Sequence, residues 1–140
     1  MERTCVLIKP DGIARGLVGE IVSRFERRGC RIVMATTVNM TEELLAEHYA
    51  HLIGKPFFAD LKDYMMSGPV IALVLEAPNA VEAVRQIIGA TDPIKAGTGT
   101  VRGDFATSLH RNLVHASDSL DAAAAEIARF FPRVALQNTK

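Results

Sequence analysis

The sequence predicts an α+β domain in the order βαββαβ, a ferredoxin-like plan with an antiparallel four-stranded sheet and an inserted helical hairpin. Three observations predict it. Apolar or alternating runs at residues 4–8, 30–38 and 69–76 have the length and composition of strands. Stretches of helical period bounded by glycines stand between and after them. A further pair of helical stretches, broken by Gly54 and Pro56, separates the second strand from the third.

Taken in order, residues 4–8 (Thr-Cys-Val-Leu-Ile) form a compact apolar run and read as a buried strand. The run stops at Lys9-Pro10-Asp11-Gly12, a turn by composition. Lys9 then stands at a strand end, where its side chain can enter a crevice or reach solvent. Residues 18–28 form an amphipathic helix with Val18, Ile21, Val22 and Phe25 on one face. Glu20 and Arg24 make an i, i+4 pair on it, and Gly29 stops it. Residues 30–38 alternate, which puts Cys30, Ile32, Met34, Thr36 and Val38 on one face of a half-buried strand.

Thr41 caps the next helix, with Glu42 and Glu43 in its first turn and Leu44, Leu45, His48 and Leu52 along one side. His48 and His51 are spaced for a metal, but no Cys or carboxylate partner stands nearby, and no metal is assigned to them. After the Gly54–Pro56 break, residues 57–66 form a helix with Phe58, Leu61 and Met65 inward. Adjacent Phe57 and Phe58 cannot both face one core squarely, so one is free for another partner.

Residues 69–76 are almost unbroken apolar and read as a central strand buried on both faces. Asn79-Ala-Val-Glu82 is a close variant of a capping box; it opens a helix over residues 80–88 with Val81, Val84 and Ile88 inward. Arg85 lies on this helix and Thr91 just past its Gly89 stop. Residues 89–104 then read as one long loop rich in Gly and Thr, a length that points to function. The spacing of Gly97, Gly99 and Gly103 misses a dinucleotide fingerprint, and no Gly-x-x-x-x-Gly-Lys-Ser/Thr occurs. A nucleoside triphosphate would be held here without a P-loop.

The last element opens with Asn112-Leu113-Val114-His115-Ala116-Ser117-Asp118-Ser119. Asp118 or Ser119 caps a helix over residues 119–131, whose expected inner face is Leu120, Ala123, Ala124, Ile127, Ala128 and Phe131. His115 is therefore pinned between the core and a helix start. That placement suits a hydrogen-bonded structural histidine, and equally a nucleophile, since imidazole can attack in its neutral form near neutral pH.

Composition bounds the function. A chain of 140 residues with 49% apolar content is one domain (1–140, with a tail at 132–140), able to bury roughly 70% of its unfolded surface. Zero net charge argues against a general polyanion binder or a membrane-surface protein, so phosphate binding must come from local cations. Lys9, Arg85 and Arg102 stand at element ends and, with Thr91, could cradle a polyphosphate. Cys5 and Cys30 have no metal or redox spacing and read as buried free thiols. A polar N-terminus and no apolar run of membrane-spanning length make the protein cytoplasmic by default.

Several blocks resemble the nucleoside diphosphate kinases: Leu-Ile-Lys-Pro-Asp-Gly at residues 7–12, His48-Tyr49 through Pro56-Phe57-Phe58, Gly-Thr-Val-Arg-Gly-Asp-Phe at 99–105, and the 112–119 stretch. The resemblance runs from Arg3 to about Phe131. It implies transfer of the γ-phosphate of ATP, or another nucleoside triphosphate, to nucleoside diphosphates by a ping-pong reaction through a phosphohistidine on His115. It implies that Nδ1 attacks, that Glu126 and Ser117 orient the ring, and that Lys9 and Tyr49 belong to the catalytic set. It implies that Lys9, Arg85, Thr91 and Arg102 hold phosphates, and that Asn112 and Lys9 hold the ribose 3′-hydroxyl. Phe57, with Leu61 and Leu109, would receive the base, by stacking that tolerates any base. The implied cofactor is Mg²⁺ carried on the nucleotide, with Asp118 as the one candidate side chain. The implied assembly is a homo-oligomer, a hexamer before a tetramer, with no nucleic acid required.

Three departures from the family pattern stand out: Ala116 where Gly is usual, Thr98 where Pro is common, and Val101 for Ile. If the backbone at residue 116 needs φ > 0, Ala there costs roughly 1 kcal/mol. His110 and Arg111 receive no role. Two other classes remain in view: a catalytically silent nucleotide- or nucleic-acid-binding regulator of the same fold, and a histidine phosphotransfer module, which would be a four-helix bundle.

Overall fold

The computed structural model describes residues 1–132. Its sheet has the order β2-β3-β1-β4, with every neighbour antiparallel. The strands are β1 (Glu2–Ile8), β2 (Arg31–Val38), β3 (Val70–Ala77) and β4 (Val114–Ala116). The helices are α1 (Pro10–Ala14), α2 (Val18–Arg27), α3 (Glu42–His48), α4 (Phe58–Met65), α5 (Ala80–Ile88), α6 (Val101–Phe105) and α7 (Leu120–Phe130), with a 3-10 turn at Ala50–Leu52. This is the expected ferredoxin-like α+β plan, and its sheet removes the four-helix-bundle reading. No helix among the described residues is long and apolar enough to cross a membrane. The tail beyond Pro132 lies outside the described residues.

β1 and β3 are apolar in both side-chain parities, and a strand with two apolar faces needs cover on both. Val6 and Ile8 of β1, with Leu73 and Leu75 of β3, pack under Ile21 and Phe25 of α2 and Val84 and Ile88 of α5. Cys5, Leu7, Ala72 and Val74 pack on the opposite face under Leu45, Leu61, Met65 and Phe130. The α3–α4 hairpin and α7 therefore cover the second face of the sheet, where the plain plan has helices on one side only. Both thiols are free and buried, and burial pushes that of Cys5 up to about 12.

Four local expectations are corrected. Lys9-Pro10-Asp11-Gly12 is the start of α1, because Pro at the first helical position presets φ and loses no bond there. The alternation of β2 breaks at Val33: Ile32 opposes Leu75 and Met34 opposes Val74. That extra residue reverses parity, so Ile32 packs with the α2–α5 face, whereas Met34 and Val38 pack with the hairpin face. Asn79 is left-handed (φ 51°) and its side chain makes no cap bond, so no capping box forms. The long loop ends at Thr100, which caps α6 by accepting from Gly103 N at 3.0 Å.

α7 is rotated from its expected face. Ser119 caps it as predicted, accepting from Ala122 N at 3.0 Å. Ala123, Ile127 and Phe131 pack inward as expected, but Leu120 is 57% exposed and Ala124 and Ala128 are exposed, while Glu126 and Phe130 are buried in their place. A carboxylate takes an inward position because its partners wait there.

Candidate active site

β4 sets the position of His115. Val114 and Ala116 point into the α2–α5 core, so the intervening side chain must face the hairpin and α7. β1 pairs with β4 so that Leu7 lies opposite His115. Ala116 is 4% exposed and packs in the core. It is not among the residues with positive φ, so the strain anticipated for Ala over Gly does not arise. The strain lies at Leu113, with φ 77°. That conformation is held by Lys9 N donating to Leu113 O at 2.9 Å and by Leu113 N donating to Asp11 Oδ2 at 3.2 Å.

His115 faces a cleft of about 610 Å³. Its Nε2 lies 2.9 Å from Glu126 Oε1, which also accepts from Ser117 Oγ at 2.8 Å. Burial raises the Glu126 pKa, but the bond and charge of His115 and the Ser117 hydroxyl outweigh it and hold the carboxyl below its ordinary value. Glu126 is therefore an anion at neutral pH. An anion accepts, so Nε2 carries the proton and Nδ1 keeps a free lone pair.

Cations crowd the inner end of the cleft. Lys9 is 7% exposed, and burial, then the nearby Arg102, push its pKa down to about 8, against a raising effect from Asp11. Burial, then Arg85, push Arg102 down to about 10, still charged at neutral pH. Arg102 Nη1 and Nη2 donate to Gly89 O at 3.0 Å and Val114 O at 2.6 Å, which ties α6 to the loop and to β4. Arg85 is exposed on the rim, with Nη1 at 3.5 Å from Ala116 O. The Asn112 amide links three segments: Oδ1 accepts from Lys9 Nζ at 2.8 Å, and Nδ2 donates to Thr91 O at 3.1 Å and Leu109 O at 3.0 Å.

His48, read from sequence only for a pairing with His51, sits beside His115 instead, with ring centroids 4.7 Å apart. Its Nδ1 lies 2.9 Å from Arg129 Nη1, which can only donate, so the proton of neutral His48 is on Nε2. Nε2 of His48, the hydroxyl of Tyr49 and Nε of Arg102 are buried donors on cleft-lining residues with no partner among the described residues. Unsatisfied buried donors are costly, and three of them beside surplus positive charge ask for an acceptor-rich anion.

Burial, with the His115 ring second, pushes His48 down to about 3, so it stays neutral when folded. An unfolded chain takes up that proton as pH falls below about 6.5, whereas the folded protein does not until about 3. The stability is present above that window and is lost as pH falls through it, by about 3 kcal/mol between pH 7 and pH 4.5. Urea unfolding of native protein and His48→Gln at both pH values measures it. Equal pH slopes in the two proteins would sink the assignment.

Every predicted site residue except Ser117 lines this one cleft; the rim and walls include Phe57, Leu61, Thr91, Leu109 and Asp118. Ser117 is fully buried and reaches the cleft through Glu126. His48, Asp11, Arg129 and His110 were missed as contributors. The signals for Asp11 and His48 were their places in the Lys-Pro-Asp-Gly and His48-Tyr49 blocks; Arg129 and His110 carry none.

A family model described as nucleoside diphosphate kinase matches residues 2–136. The chain belongs to the nucleoside diphosphate kinase family. It is 54% identical to the nucleoside diphosphate kinase of Mycobacterium marinum, over 94% of this chain and 97% of that one. It is likewise 54% identical to that of Ignicoccus hospitalis, over 94% and 89%. Among solved structures, the apo nucleoside diphosphate kinase of Encephalitozoon cuniculi superposes with a TM-score of 0.91 at 41% identity, covering 94% of this chain and 89% of that one.

Two donor sets bear on a metal in this nucleoside diphosphate kinase fold. The ligating atoms of His48, His115 and Glu126 lie within 4.8 Å of one another, but imidazoles suit zinc-like ions and Glu126 is already engaged. Asp118 is an exposed carboxylate on the cleft wall, relieved of capping by Ser119. A hard oxygen donor facing a polyphosphate site fits Mg²⁺ that arrives with the nucleotide and keeps most of its waters.

Proposed function

We propose that this nucleoside diphosphate kinase transfers the γ-phosphate of ATP, or another nucleoside triphosphate, to nucleoside diphosphates through a phosphohistidine on His115. The observation that carries the reading is the Glu126 carboxylate on Nε2 of His115, within a cleft walled by Lys9, Arg85 and Arg102. Nδ1 attacks the γ-phosphorus as the bond to the β,γ-bridging oxygen breaks, and the nucleoside diphosphate leaves. A second nucleoside diphosphate then attacks the phosphohistidine through its terminal phosphate oxygen and restores the free ring. As Nδ1 gains its phosphoryl group the ring becomes more cationic, and Glu126 stabilises that charge. Ser117 keeps Glu126 aimed at Nε2.

Lys9 and Arg102, with Arg85 and Thr91 on the rim, bind the phosphates and offset charge on the transferring group. The free donors of Tyr49 and Arg102 suit phosphate oxygens. Asn112 accepts from Lys9 and would, with it, hold the ribose 3′-hydroxyl. Phe57, Leu61 and Leu109 form the base end, where stacking accepts any base. Asp118 would hold Mg²⁺ from the protein side, and the ion would neutralise and orient the polyphosphate. Free buried thiols accord with a reducing, cytoplasmic setting. The reading as a homo-oligomer, a hexamer before a tetramer, rests on the family resemblance, and sedimentation velocity gives its stoichiometry.

Incubation with Mg²⁺ and γ-labelled ATP should leave acid-labile, base-stable label on the protein. The isolated labelled protein, given GDP, should yield labelled GTP. ATP binding without protein labelling would overturn the mechanism in favour of the silent regulator.

A further inference from the structure

We propose that His110 is the second aromatic plate of the nucleobase subsite, facing Phe57, and that it biases this cleft toward purine nucleotides. The proposal rests on the reading of the cleft as a nucleotide site. The rings of Phe57 and His110 are stacked, with centroids 5.1 Å apart and planes 24° apart. Both line the cleft that holds Lys9, Arg102 and His115.

Folding has no evident need of this stack. Phe58 packs against the hairpin-side core, whereas Phe57 belongs to neither core cluster. His110 is exposed, in the irregular stretch between α6 and β4, and its side chain makes no hydrogen bond among those of the described residues. The backbone around it is anchored all the same: Asn112 Nδ2 donates to Leu109 O at 3.0 Å, and Arg111 N donates to Ser108 Oγ at 3.1 Å. The imidazole can therefore withdraw by rotating its own side-chain bonds while its neighbours stay fixed. Two near-parallel rings on separate elements, lining the same cleft as the cations, match a flat π-ligand whose charged end lies among those cations.

At the present spacing nothing fits between the rings. A base must part them and then contacts both. Parting costs the Phe57–His110 contact, and the base recovers overlap on two faces. A pyrimidine has about the area of an imidazole and roughly breaks even. A purine covers more of each ring and keeps a surplus.

Calorimetric titration of the full chain with ADP, GDP, CDP and UDP, each with Mg²⁺, tests this in native protein, His110→Ala and His110→Phe. His110→Ala should bind both purine diphosphates about fivefold more weakly and both pyrimidine diphosphates within about twofold of native. His110→Phe should restore the purine advantage, which a merely structural role would not do. Equal weakening of all four, tighter binding of all four (the imidazole then only competes for Phe57), or no change would each overturn the plate. Failure of the native protein to bind any of the four would instead remove the nucleotide site itself.

Discussion

His115→Ala should lose phosphoryl transfer from ATP to GDP by about 10⁴-fold or more, the scale seen when a nucleophile is removed from a site that otherwise remains intact. The size follows from the chemistry. With Nδ1 gone, the groups nearest to it are poor replacements: Lys9 is protonated at neutral pH, the phenol of Tyr49 is held neutral by burial and then by Glu126, Glu126 is committed to Ser117, and His48 turns its one lone pair, on Nδ1, to Arg129. Direct transfer between two nucleotides would need both in one cleft of about 610 Å³. Binding should survive, because Lys9, Arg102 and Asn112 keep their bonds to one another and to backbone. Steady-state transfer and ADP titration on the same preparation check both halves. Turnover within tenfold of native would show that His115 is not the nucleophile.

Gly103→Ala should be the most damaging small substitution in the Gly-rich segment that carries Arg102, costing about 3 kcal/mol or more and lowering Tm by roughly 10 °C. A Cβ there would lie 2.7 Å from Ala96 O and closer still to Gly97 O. Both obstacles are backbone, and the loop cannot yield cheaply. Thr100 Oγ1 accepts from Gly103 N at 3.0 Å and donates to Gly97 O at 2.7 Å, so the helix start and the loop are tied at that point. Moving α6 would also pull Arg102 from Gly89 O and Val114 O, and phosphate affinity should fall with stability. Gly19→Ala is the control. Its Cβ meets nothing within 4 Å, and it lies within α2, where Ala is favoured by about 0.5–1 kcal/mol. If Gly103→Ala melts within a few degrees of native, the close packing of loop on helix is not what holds the region.

Much of the fold is legible locally. The two-faced apolar runs of β1 and β3, the Gly29 stop and the Thr41 and Ser119 caps all follow from period and end chemistry. The Val33 bulge was not legible, because one extra residue leaves the composition of a strand unchanged while reversing every side chain after it. Nor was the face of α7. Its alanines suggest a broad apolar stripe, and Glu126 reads as a solvated carboxylate until His115 and Ser117 are seen beside it.

By itself the sequence determined the order of the strands and of the helices other than α1 and α6, the absence of a P-loop, a lone histidine ahead of a capped helix, and a family-wide set of candidate side chains. Only the tertiary structure decided which nitrogen of His115 is free, that His48 stays neutral beside it, that Arg102 is bonded to carbonyls, and that His110 lies on Phe57. The division has one physical cause. Backbone period and caps depend on neighbours within a few residues, whereas the state of a buried polar group depends on its partner. Lys9 and Asn112 are 103 positions apart, and His48 and Arg129 are 81 apart, so no local pattern records that they meet.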